Sequence, residues 1–148
     1  MTLDLVLAVL HHLLAFGLAA IIGAEAMLLR PGVGAKELAR LGRLDLAYGV
    51  SAGLLLAVGV CRAVFAAKGW EYYQGNPWFW AKMASFLLVG LMSIPPTVAF
   101  IRWRRRLGGD TALVLADSEV APVRTWIRLE AAGLALIVVF AVVMARVS

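Results

Sequence analysis

Residues 5–24 read LVLAVLHHLLAFGLAAIIGA, a stretch without Asp, Glu, Lys or Arg. As an α-helix, a segment of this length rises about 30 Å, which is the thickness of the hydrocarbon core of a bilayer. The apolar run is too long for the apolar region of a signal peptide, and no Lys or Arg precedes it. The stretch therefore predicts a membrane-spanning helix that the mature protein keeps.

Three further apolar blocks follow the first one. The 148-residue chain is 63% hydrophobic and 16% charged, against about 45–50% and about 25% in soluble domains. We expect membrane spans at residues 5–29, 44–66, 78–101 and 123–145. Pro95 and Pro96 predict a kink in the third span, because each proline removes a helical donor. The sequence thus predicts an all-α fold, an integral membrane four-helix bundle in which residues 1–148 form a single transmembrane domain.

The basic residues predict how the bundle is oriented. They cluster in the first and third connections, whereas the second connection carries only Lys68 and the N-terminus has none. Because short cytoplasmic loops are rich in Lys and Arg, we expect both termini on the periplasmic side of a bacterial inner membrane. This clustering explains the net charge of +5, so we expect the lipid bilayer, and not nucleic acid, as a partner. The residues concerned are Arg30, Lys36, Arg40, Arg43, Arg102, Arg104, Arg105, Arg106 and Arg124.

His11 and His12 lie inside the first predicted span. An ionisable residue at that depth usually marks a functional site, because hydrocarbon does not solvate it. Arg62 lies about one turn before the second span ends, and Lys82 lies about one turn into the third. Three helices thus bring cationic or neutral groups to the same half of the membrane, which suits an anionic ligand. Heme b fits this set, since its iron takes an imidazole and its propionates pair with Arg and Lys.

The two histidines are expected to differ in role. Adjacent helical residues diverge by about 100°, so both cannot ligate one heme within a chain. His12 shares a face with Ala8 and Ala19, where small side chains leave room for a flat porphyrin. We therefore favour His12 as the ligand of the heme iron and keep His11 as the second choice. A second axial histidine would come from another protomer, which predicts a homodimer. Otherwise the sixth position is empty or is taken by Met83, Met92 or Lys82.

A different interpretation needs no cofactor. Arg62 and Lys82 are close enough to helix ends to reach the lipid headgroups. A histidine within a span can also hydrogen-bond to a neighbouring helix. Gly49 and Gly53 have a GxxxG spacing that suits close helix contact or dimerisation. On this interpretation the chain is a cofactor-free membrane scaffold or interaction protein.

A second group of charged residues lies in the other half of the membrane. Glu25 is near the end of the first span, while Arg128 and Glu130 are at comparable depth near the start of the fourth. With Arg43, these residues predict a buried ion-pair network that fastens the first, second and fourth helices. The alternative is a proton or quinone site on the cytoplasmic side.

The sequence shows two resemblances, of which the first covers nearly the whole chain. The runs HHLLAFGLAAIIGAEAMLLRPG, RLDLAYGVSAGLLLAVGVCR and AKGWEYYQGNPWFWAKMASFLLVGLMSIPPTVAFIRWRR begin at residues 11, 43 and 67. They look like those of an uncharacterised family of small four-helix bacterial inner-membrane proteins. More distantly, the first-helix histidines and the entry to the third helix, Trp80-Ala81-Lys82, resemble the heme-containing J-type protoporphyrinogen oxidase of bacteria. That resemblance implies b-type heme at His12 or His11 and a role for Lys82. Residues 93–97 stand where that family has a further histidine.

The expected function is b-type heme binding in the bacterial inner membrane, with electron transfer or heme-linked redox chemistry. A quinone or another redox partner is expected to exchange the electrons. The alternatives are the cofactor-free scaffold and an enzyme that oxidises porphyrinogen. The sequence assigns no catalytic residue.

Overall fold

The computed structural model describes residues 2–65, 69–110 and 112–147, which form six α-helices and no strand. Ala66, at the end of the second predicted span, and Lys68, which entered the orientation argument, lie outside the described residues. The expected all-α fold is confirmed. The helices are α1 (Thr2–Leu28), α2 (Ala35–Phe65), α3 (Gly69–Gln74), α4 (Pro77–Met92), α5 (Ile94–Leu107) and α6 (Asp117–Val147).

Four helical stretches within the described ranges are long and apolar enough to cross a membrane, which confirms the expected architecture. Large apolar side chains face outward along them: Phe16 is 71% exposed, Leu46 68% and Leu87 66%. Contiguous apolar surface of this kind indicates that lipid surrounds the bundle. An even number of spans returns the chain to the side on which it began. We call that side the terminal end, and the opposite side, which carries the first and third connections, the arginine-rich end. The stretches are Leu3–Leu28, Ala35–Phe65, Pro77–Leu107 and Asp117–Arg146.

The second and fourth spanning helices begin earlier than the apolar pattern predicted. Helix α2 starts at residue 35 instead of 44, and α6 starts at residue 117 instead of 123. In the first turns of α2, Leu38 and Leu41 are buried while Lys36 and Arg40 are exposed. This amphipathic segment packs one face on the bundle, so the helix continues beyond the apolar block.

The third span is interrupted at Ser93, between α4 and α5. Pro95 and Pro96 lie in the first turn of α5. Backbone N–H groups in a first turn have no intrahelical acceptor, so the prolines remove no hydrogen bond of this helix. The Ser93 hydroxyl donates to the carbonyl of Gly90 at 2.7 Å, and the N–H of Thr97 donates to the Ser93 carbonyl at 3.1 Å. The expected interruption by the two prolines is thus present, and local hydrogen bonds satisfy the backbone around it.

Helix α1 packs mainly on α2, and α4 packs mainly on α6, while α2 also meets α5 and α1 meets α6. The contact of α4 with α6 is close at Gly133, where an added Cβ would lie 2.5 Å from Cγ2 of Val89. Most side chains of the buried core belong to the arginine-rich half of the bundle. They include Leu29, Leu38, Leu41, Phe100, Trp103, Leu115, Val120 and Ile127. The terminal half is less densely filled, and this difference leaves space for a cavity.

Candidate functional site

His11 and His12 face different surroundings, as their helical phase predicts. The His11 side chain is half-buried and points at α2, where a Cβ added to Gly59 would lie 3.3 Å from its Cε1 atom. The His12 side chain is exposed, and its Nδ1 atom lies 2.7 Å from the carbonyl oxygen of Ala8. Only His11 therefore faces the interior of its own chain.

A cavity of about 630 Å³ opens beside His11 in the terminal half of the bundle. We call it the His11 cavity. Its wall comes from α1, α2, α3, α4 and α6 and is almost entirely apolar. Sites that enclose small molecules and cofactors commonly have volumes of about 300–1,000 Å³ and apolar walls with few polar groups. The cavity has the size and the character of such a site. Its aromatic wall residues are Trp70, Phe79, Trp80 and Phe86.

Two cations accompany His11. Lys82 belongs to the cavity wall, and its Nζ atom lies 5.7 Å from the centre of the Phe79 ring. Arg62 is half-buried beside the cavity, close enough for its charge to act on both His11 and Lys82. The Nδ1 atom of His11 and the Nε atom of Arg62 are buried without a hydrogen-bond partner among the residues that the structure describes. Unpartnered buried polar atoms are uncommon in proteins, so these two call for an explanation.

The structure thus brings together three of the four residues expected to hold a cofactor: His11, Arg62 and Lys82. The fourth, His12, points away from the cavity. Helix α1 packs on α2 through the His11 face, which leaves the small-residue face of His12 at the bundle surface. For a ligand bound within a single chain, the geometry favours His11, which was the second choice of the sequence argument. Which histidine ligates heme stays a prediction.

The sequence argument missed the aromatic wall of the cavity. Phe79, Met83 and Phe86 all line it, and their spacing of four and three residues places them on one helical face with Lys82. Trp80 also lines the cavity, and its indole N–H donates to the carbonyl of Gln74 at 3.0 Å. The helical spacing from Phe79 to Phe86 was a signal that could have identified this wall.

Residues 3–148 match a family described as Predicted membrane protein (DUF2214). The chain belongs to this family. No curated protein and no solved structure matched the chain. The matched residues include those that line the His11 cavity and all four spanning stretches. The match is consistent with the expected family of small membrane proteins.

The charged residues in the arginine-rich half of the DUF2214 chain are arranged differently from the expected ion-pair network. Glu25 and Glu130 are buried, with 4% and 2% of their surface exposed. Arg43 and Arg128 are exposed. Within the described ranges, no salt bridge joins these arginines to either glutamate. The network expectation was wrong because comparable depth does not imply a shared helical face: residues 128 and 130 lie about 200° apart on α6.

Three other side chains accompany the buried glutamates. Asp45 accepts a hydrogen bond of 2.6 Å from the Thr97 hydroxyl, which joins α2 to α5. The Tyr48 side chain of α2 is buried, and its hydroxyl lies near the carboxyl group of Glu130 on α6. We call Glu25, Asp45, Tyr48, Thr97 and Glu130 the acidic site.

Proposed function

We propose that this protein binds heme b in the bacterial inner membrane and transfers electrons, with the heme in the His11 cavity. One observation carries the proposal: an imidazole and an ammonium group, those of His11 and Lys82, line the same apolar cavity of about 630 Å³. The positive-inside rule supports an orientation in which the arginine-rich end is cytoplasmic and the cavity lies toward the periplasm.

The residues of the cavity fit the chemistry of a heme. His11 supplies an imidazole with a buried nitrogen that has no hydrogen-bond partner in the described part of the chain, and imidazole is a common axial ligand of heme iron. Lys82 and Arg62 supply positive charge for the two propionates. When bound there, heme would supply one-electron redox chemistry. The apolar wall would exclude water, which tunes the reduction potential of a bound heme.

The sixth coordination position has a candidate inside the cavity. Met83 lines the cavity together with His11, whereas Met92 is not part of its wall. Of the three internal ligands suggested by the sequence, Met83 and Lys82 are therefore the better placed. Lys82 cannot both ligate iron and pair with a propionate, so Met83 is the internal ligand that leaves the expected cation in place.

A second arrangement rests on a specific property of His12. A histidine that ligates a metal usually donates its other ring N–H to a carbonyl or carboxylate, which fixes its tautomer. The Nδ1 atom of His12 has such a partner in the carbonyl of Ala8, and the ring is exposed at the surface of α1. A homodimer that joins these surfaces would place two His12 rings on opposite sides of one heme.

The two histidines serve as matched controls for each other, since they are adjacent and chemically identical. We would purify the wild type, His11→Ala and His12→Ala in detergent and record absorbance spectra and heme content per chain. A Soret band that His11→Ala loses and His12→Ala keeps supports the His11 cavity. The reverse pattern, with a dimeric mass by light scattering, supports the shared heme.

The cofactor-free alternative gives a different result. If the protein is a scaffold, the wild type is colourless even when cells are supplied with a heme precursor. A Soret band that survives replacement of both histidines also contradicts the proposal. In a colourless protein His11→Ala would change only the free energy of unfolding, because His11 would then act through its packing on α2.

A further inference from the structure

The acidic site brings carboxyl groups from three helices to one depth in the membrane. Glu25 belongs to α1, Asp45 to α2 and Glu130 to α6. The three groups are close enough for their charges to interact. All three belong to stretches that are long and apolar enough to cross a membrane. Side chains of this kind are rare within spans and usually mark pathways or sites for ions or protons.

No positive charge compensates these carboxyl groups within the described residues. The recorded salt bridges join Arg106 to Glu119 and Arg124 to Asp117, outside the acidic site. Hydroxyl groups lie beside the acids instead: Thr97 of α5 donates to Asp45, and the hydroxyl of Tyr48 on α2 lies near Glu130.

Two oxygen atoms of the site have no hydrogen-bond partner among the described residues. They are Oε1 of Glu25 and Oε1 of Glu130, and both are buried. An unpartnered buried carboxylate oxygen would lose its hydration without compensation, which is strongly unfavourable. These oxygens therefore point to something that binds them and is not a residue of this part of the chain.

A small cavity of about 110 Å³ adjoins the acidic site. Asp45, Tyr48 and Thr97 line it, together with the hydroxyl-bearing Ser93 at the break between α4 and α5. A cavity of this size admits a few water molecules, since each takes about 30 Å³ in the liquid. Water beside Asp45 would supply a route by which protons reach the carboxyl groups.

The small cavity lies next to the His11 cavity along the bundle. Phe86 and Ile137 belong to the walls of both. These two apolar side chains stand between the cavities and carry no group that relays a proton. A proton bound at the acidic site would therefore not pass directly to Lys82 or His11.

We propose that the acidic site is a proton-binding site, in which Glu25, Asp45 and Glu130 together hold fewer than three negative charges and exchange protons through the small cavity. Three carboxylates without a neighbouring cation would repel one another in surroundings of low dielectric constant. Protonation of one or more of them removes that repulsion. A bare metal ion fits less well, because no group of three or more His, Cys, Asp or Glu side chains among the described residues is arranged to hold one. The proposal is independent of heme binding.

Infrared spectroscopy of the purified protein in detergent tests the proposal directly. At neutral pH the wild type should show the C=O stretch of protonated carboxyl groups, and transfer to deuterium oxide should shift it. Glu25→Gln and Glu130→Gln should each remove part of this band, whereas the matched control Asp117→Asn, at a largely exposed side chain, should leave it unchanged. Absence of the band in the wild type would overturn the proposal.

Chemical modification supplies a readout that does not depend on these variants folding. Dicyclohexylcarbodiimide reacts with protonated carboxyl groups in apolar surroundings, and mass spectrometry locates the adduct. We expect adducts at Glu25 or Glu130 of the wild type and none at Asp117, with loss of the adduct as the pH is raised. Protection by sodium or potassium chloride at constant pH and ionic strength would overturn the proton assignment, because the site would then bind the cation. Modification confined to exposed acids would overturn it as well.

Discussion

The imidazole rings of His11 and His12 lie 6.2 Å apart, centroid to centroid, with an angle of 81° between their planes. His11 borders a cavity inside the chain, while His12 lies at the surface with its Nδ1 atom beside the carbonyl of Ala8. Adjacent residues on a helix point about 100° apart, so one step along α1 moves a ring from the interior to the lipid-facing surface. A ligand that contacts one of these histidines is therefore out of reach of the other histidine of the same chain.

Replacement of Gly59 by valine should displace the His11 ring and reduce heme binding. A Cβ at this position would already lie 3.3 Å from Cε1 of His11, and the added methyl groups increase the overlap. We expect a lower heme content per chain and a shifted Soret band. The matched control is Gly53→Val on the same helix, since a Cβ there meets no atom within 4 Å. Equal heme content in the two variants would contradict the assignment of His11 as the ligand.

Replacement of Gly133 by alanine should destabilise the contact of α4 with α6. The new Cβ would lie 2.5 Å from Cγ2 of Val89, and overpacking of this kind costs about 1–3 kcal/mol in the free energy of unfolding. Gly90→Ala is the control, because a Cβ there meets nothing within 4 Å. Unfolding in detergent, followed by circular dichroism, measures both.

A double variant identifies the cause of that destabilisation. Val89→Ala removes the methyl groups that the new Cβ would meet, so Gly133→Ala should be less destabilising in its presence than in the wild type. Additive effects of the two changes would show that the Gly133–Val89 approach is not the reason.

Replacement of Thr97 by valine should leave Asp45 without its hydroxyl partner. Loss of a buried hydrogen-bond partner costs about 1–3 kcal/mol in the free energy of unfolding. Thr97→Ser should keep most of the stability, because it retains the hydroxyl. The exposed Thr125, which donates to the carbonyl of Ala121, serves as the control, and Thr125→Val should change stability by less than about 0.5 kcal/mol. An equal loss for Thr97→Ser and Thr97→Val would indicate that the hydrogen bond to Asp45 is not stabilising.

The orientation of the bundle can be tested with cysteine labelling of intact cells. In a Cys61→Ala background, which removes the native thiol, Gln74→Cys places a thiol at the terminal end and Ser118→Cys places one at the arginine-rich end. Both positions are exposed. A membrane-impermeant maleimide should label the first variant directly and the second only after the inner membrane is permeabilised. The opposite pattern would place the termini in the cytoplasm.

The all-helical class and the four spans were predictable because each depends on local composition. Residues 5–24 carry enough apolar side chains to cross a bilayer whatever packs against them. The starts of α2 and α6 were placed too late, since charged residues such as Lys36 and Arg40 lie on the outer face of a turn whose inner face carries Leu38 and Leu41. A hydropathy average covers both faces of a helix, so it stops at the edge of the apolar block although the amphipathic helix extends further.

The candidate site was only partly predictable. Depth along each helix correctly grouped His11, Arg62 and Lys82, because rise per residue is uniform. Depth gave no information about which face of each helix turns inward. For that reason the preference between His11 and His12, and the ion-pair network expected for Glu25, Arg43, Arg128 and Glu130, depended on helix packing that one sequence does not reveal.

The number and order of the membrane spans follow from the chain itself, since a bilayer accepts only long apolar helices whose backbone groups are satisfied internally. The rotation of each helix about its own axis depends on side chains far apart in sequence, such as Gly133 against Val89 and Gly59 against His11. That rotation is what placed His11 beside a cavity, turned His12 to the surface and buried Glu25 and Glu130 away from every cation in the described ranges. Such contacts are decided by the fit of whole helix surfaces, and this is why only the tertiary structure shows which side chains border the His11 cavity and which form the acidic site.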